Sequence, residues 1–347
     1  MNFCSDNVAG IAPEILAALA AANDGAAGAY GNDALTARVE AKLSDIFERK
    51  VRAFPVVTGT AANALALATL TPPYGAIYCH PEAHVMVDEC GAPEMYTGGA
   101  KLIGIAGDHG KLTAAGVAAA LDNARAGDVH HVQPAAISLT QASECGTVYT
   151  ASEVAAIGEI ARRHKVRLHM DGARFANALV HMNASPAAIT WQAGVDVLSF
   201  GATKNGALAA EAVVFFDEAL AESFAFRRKR AGHLISKMRF VSAQLDAYLD
   251  GDLWLGLARH ANAQAARLAE GLKALPGAHL LHPVEANEIF IRLPLAMVAG
   301  LRAAGFDFYD WPGAAPGTIR LVTSFRTRAE DVGAFIEAAK NLSTAAG

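Results

Sequence analysis

Val195-Asp196-Val197-Leu198-Ser199-Phe200-Gly201-Ala202-Thr203-Lys204-Asn205-Gly206 is the stretch on which the reading of this chain turns. An apolar run ends in small residues and then in a lysine. Thirty-three positions before Lys204, Asp171 follows a second apolar run, Val166-Arg167-Leu168-His169-Met170. Ala173–Met182, between the two, has helical periodicity. Strand, carboxylate, helix, strand, amine: this order predicts neighbouring parallel strands whose chemistry gathers on the carboxyl rim of a sheet. A lone lysine after a strand is in most chains a solvated surface charge. Its weight here comes from what else the same rim carries.

Further strand-like runs lie at Ala53–Val57, Ala76–Cys79, Leu102–Ile105, Ala135–Leu139 and Ala212–Phe216. Helical patterns separate most of them, notably Thr113–Leu121 and Ala151–His164. Before the first strand, Ala12–Ala22 reads as a helix with Pro13 in its first turn, and Asp33 can cap a second one. Near-continuous apolar strands alternating with helices predict an α/β fold with a mostly parallel sheet covered on both faces. After about residue 217 the texture changes. The basic segment Arg227-Arg228-Lys229-Arg230 opens a helical stretch expected to run to Leu249, and Leu253–Leu275 reads as another helix. Strands near Ile289–Leu293 and Ile319–Val322, with helices near Leu295–Ala304 and Ala329–Leu342, complete a smaller α+β domain. The expected division is 1–240 for the large domain and 241–347 for the small one.

The 347 residues, 53% of them hydrophobic and 18% charged, suffice for a large core. A net charge of −5 argues against nucleic acid or an anionic membrane as the partner. The four cysteines (Cys4, Cys79, Cys90, Cys145) are scattered and form no Cys-x-x-Cys pair, so neither a zinc site nor a disulfide frame is expected. The first basic residue is Arg38, and Asp6 and Glu14 interrupt the apolar start, which argues against a secretory signal. A cytoplasmic protein without a metal is the expectation.

Four groups can carry chemistry. Thr58-Gly59-Thr60-Ala61-Ala62-Asn63 follows a strand and opens a helix, where free N–H groups at the positive end of the dipole suit a phosphate. It is neither a Walker loop nor a Gly-x-Gly-x-x-Gly fingerprint. His84 lies just past the strand ending at Cys79, where an imidazole can stack on a planar ring or act as a base. As one of twelve histidines, it can equally be a loop residue without a role. In Asp171-Gly172-Ala173-Arg174 a guanidinium one turn beyond the carboxylate can hold a substrate carboxylate by two parallel hydrogen bonds. Arg320, amid the apolar Thr318-Ile319-Arg320-Leu321-Val322-Thr323, lies either on an exposed face or is aimed into a site. An amine and a carboxylate on one rim are what pyridoxal phosphate requires: the amine forms a Schiff base, and the carboxylate keeps the ring nitrogen protonated.

Together these residues resemble a pyridoxal-phosphate enzyme of the aspartate-aminotransferase fold (fold type I) and, within it, the L-threonine aldolases. The resemblance covers nearly the whole chain: Ser5-Asp6-Asn7, Tyr30-Gly31-Asn32-Asp33, the Thr58–Asn63 cup, His84 with Glu89 and Gly91, Asp-Gly-Ala-Arg at 171–174, Thr203-Lys204, and Arg320-Leu321-Val322-Thr323. It implies Lys204, His84 and Asp171 as catalytic residues. Gly59, Thr60 and Thr203 would join them in holding the cofactor, and Ser5, Arg174 and Arg320 would hold the substrate carboxylate. The implied reaction is retro-aldol cleavage of L-threonine, L-allo-threonine or a related β-hydroxy-α-amino acid to glycine and an aldehyde, by a homodimer or homotetramer. Alternatives are a phenylserine-preferring aldolase, an aminotransferase, a β-eliminating lyase, or a non-catalytic protein that keeps the fold. The base for the β-hydroxyl is either His84 or a water. Two departures stand out. Many family members carry a histidine where this chain reads Thr140-Gln141-Ala142-Ser143, so Ser143 or another group must replace it unless the substrate differs. The family's glycine-rich run before Met238-Arg239 reads Ile235-Ser236-Lys237 here.

Overall fold

The computed structural model describes residues 1–344; the last three residues of the expected second domain lie outside the described residues. Seven strands form the large sheet: β1 (Arg52–Val56), β2 (Gly75–Cys79), β3 (Lys101–Gly104), β4 (Gln133–Thr140), β5 (Arg167–Gly172), β6 (Val197–Gly201) and β7 (Glu211–Phe215). Their spatial order is β1-β7-β6-β5-β4-β2-β3, parallel from β6 to β3, with β7 antiparallel to both its neighbours. β2, β6 and β7 are buried along their whole length, as strands covered by helices on both faces must be. Four short strands make the second sheet in the order β10-β11-β9-β8, all antiparallel: β8 (His279–Leu280), β9 (Glu288–Arg292), β10 (Tyr309–Asp310) and β11 (Thr318–Val322).

Registry places the chemistry. Thr140 at the tip of β4 pairs with Asp171 on β5, Asp171 pairs with Ser199 on β6, and Gly201 at the tip of β6 pairs with Glu211 at the start of β7. Glu211 in turn faces Val56, after which the chain enters the helix Gly59–Leu70. One rim therefore collects the ends of five strands. Gly201 is required there: a Cβ would stand 2.6 Å from the carbonyl oxygen of Ala173, in the turn that follows Asp171. The helix Gly59–Leu70 is buried from Ala61 to Ala68, and its run of alanines lets it sit flat against the sheet.

Two expectations change. The stretch 227–249 is not one helix but two, Phe224–Arg230 and Arg239–Tyr248. Gly232, at φ +81°, adopts a backbone that ends the first, and the chain then runs past Tyr30, whose N–H donates to the carbonyl of Ser236 at 2.9 Å. The apolar cores also divide the chain later than residue 240. Val241, Leu245, Tyr248, Trp254 and Ala258 belong to the core of the large sheet, because Arg239–Tyr248 packs on the helices Pro13–Ala21 and Ala34–Ile46. The second core runs from Ala265 to Ala339 and takes in Phe3. The helix Leu253–Lys273 thus contributes to both cores, and Phe3 packs with the second.

Candidate active site

A cavity of about 290 Å³ opens on this rim. Its lining brings together Gly59, Thr60, His84, Asp171, Arg174, Thr203 and Lys204, all expected from the sequence. It also includes Asn63, Glu144 and Glu211, which were not. Ser5 and Arg320 do not line it. Ser5 caps the turn Asp6–Val8 by accepting from the N–H of Asn7 at 3.2 Å. Arg320 donates to the carbonyl of Cys4 at 3.1 Å and lies over the rings of Tyr309 and Trp311.

The floor is a chain of polar side chains. Asn63 Nδ2 donates to Asp171 Oδ2 at 2.7 Å and to Glu89 Oε1 at 2.9 Å, and Asp171 Oδ1 accepts from the N–H of Ala173 at 3.0 Å. Asp171 therefore has both oxygens occupied and its orientation fixed. Asn63 stands four residues after Gly59, one turn along the same helix face. That spacing was its only signal in the sequence. His84 Nδ1 lies 2.9 Å from Glu89 Oε1, and this hydrogen bond holds the imidazole above its ordinary pKa despite burial. Burial pushes the Glu89 carboxyl up, against its bonds to His84 and Asn63.

The other end is a helix N-terminus. Thr58 caps the helix Gly59–Leu70, its hydroxyl accepting from the N–H of Ala61 at 3.1 Å, while the N–H of Ala62 bonds to the carbonyl of Thr58. By helix geometry this leaves the N–H groups of Gly59 and Thr60 for a ligand. A Cβ on Gly59 would meet nothing within 4 Å, so the space in front of that backbone is open. An anion-binding end, a carboxylate at the opposite end and an amine between them fit pyridoxal phosphate. Thr203, expected to donate to the phosphate, has its hydroxyl bonded to the backbone of Ala210.

Charge is balanced before any substrate arrives. Arg174 Nε lies 2.8 Å from Asp6 Oδ2, Nη2 lies 3.2 Å from Asp6 Oδ1, and Nη1 lies 3.0 Å from Glu288 Oε2. Burial alone would raise Asp6, but Arg174 beside it and Lys204 beyond bring it below the usual carboxylate range. Arg320 approaches the far oxygen of Glu288 at 3.9 Å, so Arg174, Glu288 and Arg320 alternate in sign. On the Lys204 side, Glu211 accepts from the N–H of Ala202 at 2.9 Å, and burial pushes its carboxyl up to about 7. Ser143, considered as the replacement for the family histidine, faces away. It is wholly buried and bonds to the carbonyl of His109 and to Thr147.

The model of the beta-eliminating lyase family matches residues 2–295. The chain is 46% identical to the low-specificity L-threonine aldolase of Pseudomonas aeruginosa strain PAO1, covering 95% of this chain and 94% of that one. It is 42% identical to the enzyme of the same name from Pseudomonas sp. strain NCIMB 10558, over 94% and 93% of the two chains. Among solved structures, the threonine aldolase of Leishmania major superposes with a TM-score of 0.93 at 30% identity, over 99% of both chains. An aspartate aminotransferase of Rhodobacter sphaeroides shares the fold at a TM-score of 0.72 and 18% identity. The chain belongs to the beta-eliminating lyase family and, within it, to the L-threonine aldolases.

Proposed function

We propose that this cavity holds pyridoxal phosphate and cleaves the Cα–Cβ bond of β-hydroxy-α-amino acids, L-threonine and L-allo-threonine among them, to glycine and an aldehyde. The observation that carries the reading is the set of groups around one cavity. Lys204, a fully hydrogen-bonded Asp171, the free N–H groups of Gly59 and Thr60, and Arg174 meet there in a chain close to two low-specificity L-threonine aldolases.

Bound pyridoxal phosphate supplies the electron sink that receives the pair of the breaking bond. Lys204 is the amine that would hold it covalently. Asp171 would serve its ring nitrogen as a fixed acceptor, and His84 would help to hold the ring. The backbone of Gly59 and Thr60 would take the phosphate. Arg174 has five N–H donors, gives two to Asp6 and turns a third toward Glu288, which leaves two for the substrate carboxylate. Pinning that carboxylate would fix the orientation of the substrate at Cα and so select the bond that breaks. Arg320 acts from behind, holding Glu288 against Arg174.

The four cysteines are free thiols, which supports a reducing, cytoplasmic setting. Exposed Leu208 at the cavity wall leaves that side open to a second copy, in keeping with a homodimer or homotetramer. No helix among the described residues is long and apolar enough to cross a membrane.

The test is a steady-state panel of L-threonine, L-allo-threonine and L-phenylserine with the pyridoxal-loaded protein. Equal amounts of glycine and aldehyde are expected without any keto-acid partner. Ammonia and a keto acid in place of glycine would move the chain to β-elimination, and dependence on an added keto acid would move it to transamination.

A further inference from the structure

Three carboxyl groups line the cavity: Asp171, Glu211 and Glu144. The first has hydrogen-bond partners at both oxygens, Asn63 and the N–H of Ala173, and Glu211 accepts from the N–H of Ala202. Glu144 differs. Its Oε1 accepts from the backbone N–H of His84 at 2.8 Å and from the hydroxyl of Thr140 at 2.8 Å. Its Oε2 is shielded from bulk water and has no partner among the described residues. A buried carboxylate oxygen left without a donor is expensive unless a ligand completes it. Both residues that fix Oε1 also line the cavity, so the carboxyl group is oriented from the wall that His84 forms.

The sequence offered His84 or a water as the base, and the environment of His84 argues against the imidazole. Its Nδ1 is bound to Glu89, so that nitrogen is taken up and cannot receive the hydroxyl proton, and the bond raises the imidazole above its ordinary pKa. We propose that Glu144 is the catalytic residue that takes the β-hydroxyl proton during cleavage and returns it during the reverse addition. This rests on the aldolase reading above. In the step, the O–H bond breaks and the proton goes to the Glu144 carboxylate. The O–H pair becomes the second bond of the carbonyl, and the Cα–Cβ bond breaks with its pair left on Cα. Cα then takes up one proton, Glu144 gives its own to solvent, and glycine and the aldehyde leave.

The surroundings tune the group for the task. Burial pushes the carboxyl up to about 7, Asp171 pushes it further in the same direction, and the bonds from His84 and Thr140 oppose this. The other charged or titratable neighbours are Arg174, Cys79, Cys145 and Tyr149. A base with a pKa near the working pH is the most efficient one.

The experiment compares wild type, Glu144→Gln and Glu144→Asp as pyridoxal-loaded enzymes with three readouts. Cleavage of L-threonine and L-phenylserine is followed as kcat and KM from pH 5.5 to 9. Exchange of the α-proton of glycine in heavy water is followed by NMR, because it needs the cofactor and Lys204 but no hydroxyl base. Thermal melting reports folding. For Glu144→Gln we expect kcat to fall by about 10²-fold or more, with KM and glycine exchange within about threefold. The wild-type acidic limb, on which kcat rises with pH through about 7, should be absent in Glu144→Gln and retained in Glu144→Asp at lower kcat. The proposal fails if Glu144→Gln cleaves within about threefold of wild type. It fails equally if cleavage and glycine exchange fall together, since that pattern marks a structural role. A wild-type enzyme that exchanges the glycine proton but cleaves no β-hydroxy amino acid would instead overturn the aldolase reading.

Discussion

Asp171 and Glu144 sit on the same cavity wall one strand apart, and they are held in opposite ways. Asp171 receives a donor at each oxygen, from Asn63 and from Ala173. Glu144 receives two donors at one oxygen and none at the other. A carboxylate with a donor at each oxygen is held in one orientation and serves as a fixed partner. A half-saturated one in the same low-dielectric space is ready to exchange a proton. The difference comes from geometry: Asp171 ends a central strand beneath the helix that carries Asn63, while Glu144 follows the turn beyond β4.

Experiments can break or sharpen this contrast. Asp171→Asn keeps the shape and removes the charge opposite the ring nitrogen. Loss of one partner of a buried charge pair should lower kcat on the order of 10³-fold and weaken cofactor retention. A fully active variant would dissolve the distinction between the two carboxyl groups. Asn63→Ala takes a donor from both Asp171 and Glu89 and should cost about 1–3 kcal/mol in unfolding free energy, seen in denaturant titration. Cofactor should also be lost more readily, which a dialysis series would reveal. His84→Asn should lower kcat by no more than about tenfold, below the ~10²–10⁴-fold that removal of a proton-transfer group produces. A larger fall, with disappearance of the acidic limb, would return the base to the imidazole.

The smallest effect is expected at Glu211. Its folded-state pKa of about 7 lies above the ordinary 4.5, so the folded protein binds that proton more tightly than the unfolded chain does. Stability from this group is therefore present at low pH and is lost as pH rises through about 7. Glu211→Gln should melt a few degrees higher than wild type at pH 8 and about equally at pH 5. A lower melting point at pH 8 would show the ionised group to be stabilising.

The strands were legible because burial on both faces writes an apolar run into the sequence, and the rim residues because they stand at the ends of those runs. Lys204, Asp171, His84 and Gly59 could be placed for that reason. The break between Arg230 and Arg239 was not legible, because a basic, helix-favouring segment gives no local warning that Gly232 will turn left-handed and the chain will lie along Tyr30. Asp6 and Glu288 were invisible as partners of Arg174 because the three come from distant parts of the chain and meet only when the two sheets meet. Glu144 could not be singled out either. Its character is set by an N–H sixty residues upstream and by an oxygen that finds no donor, and neither is a property of its own neighbourhood in the sequence.

The helix that begins at Gly59 is enclosed from Ala61 to Ala68, so it has no outer surface on which change is harmless. Anyone redesigning the cavity for other aldehydes should leave that helix untouched, since enlarging any of its alanines would be felt across the sheet. Variation belongs in the turn at Leu208 and Ala209, where a new side chain can reshape the cavity wall while the grip on the phosphate stays as it was.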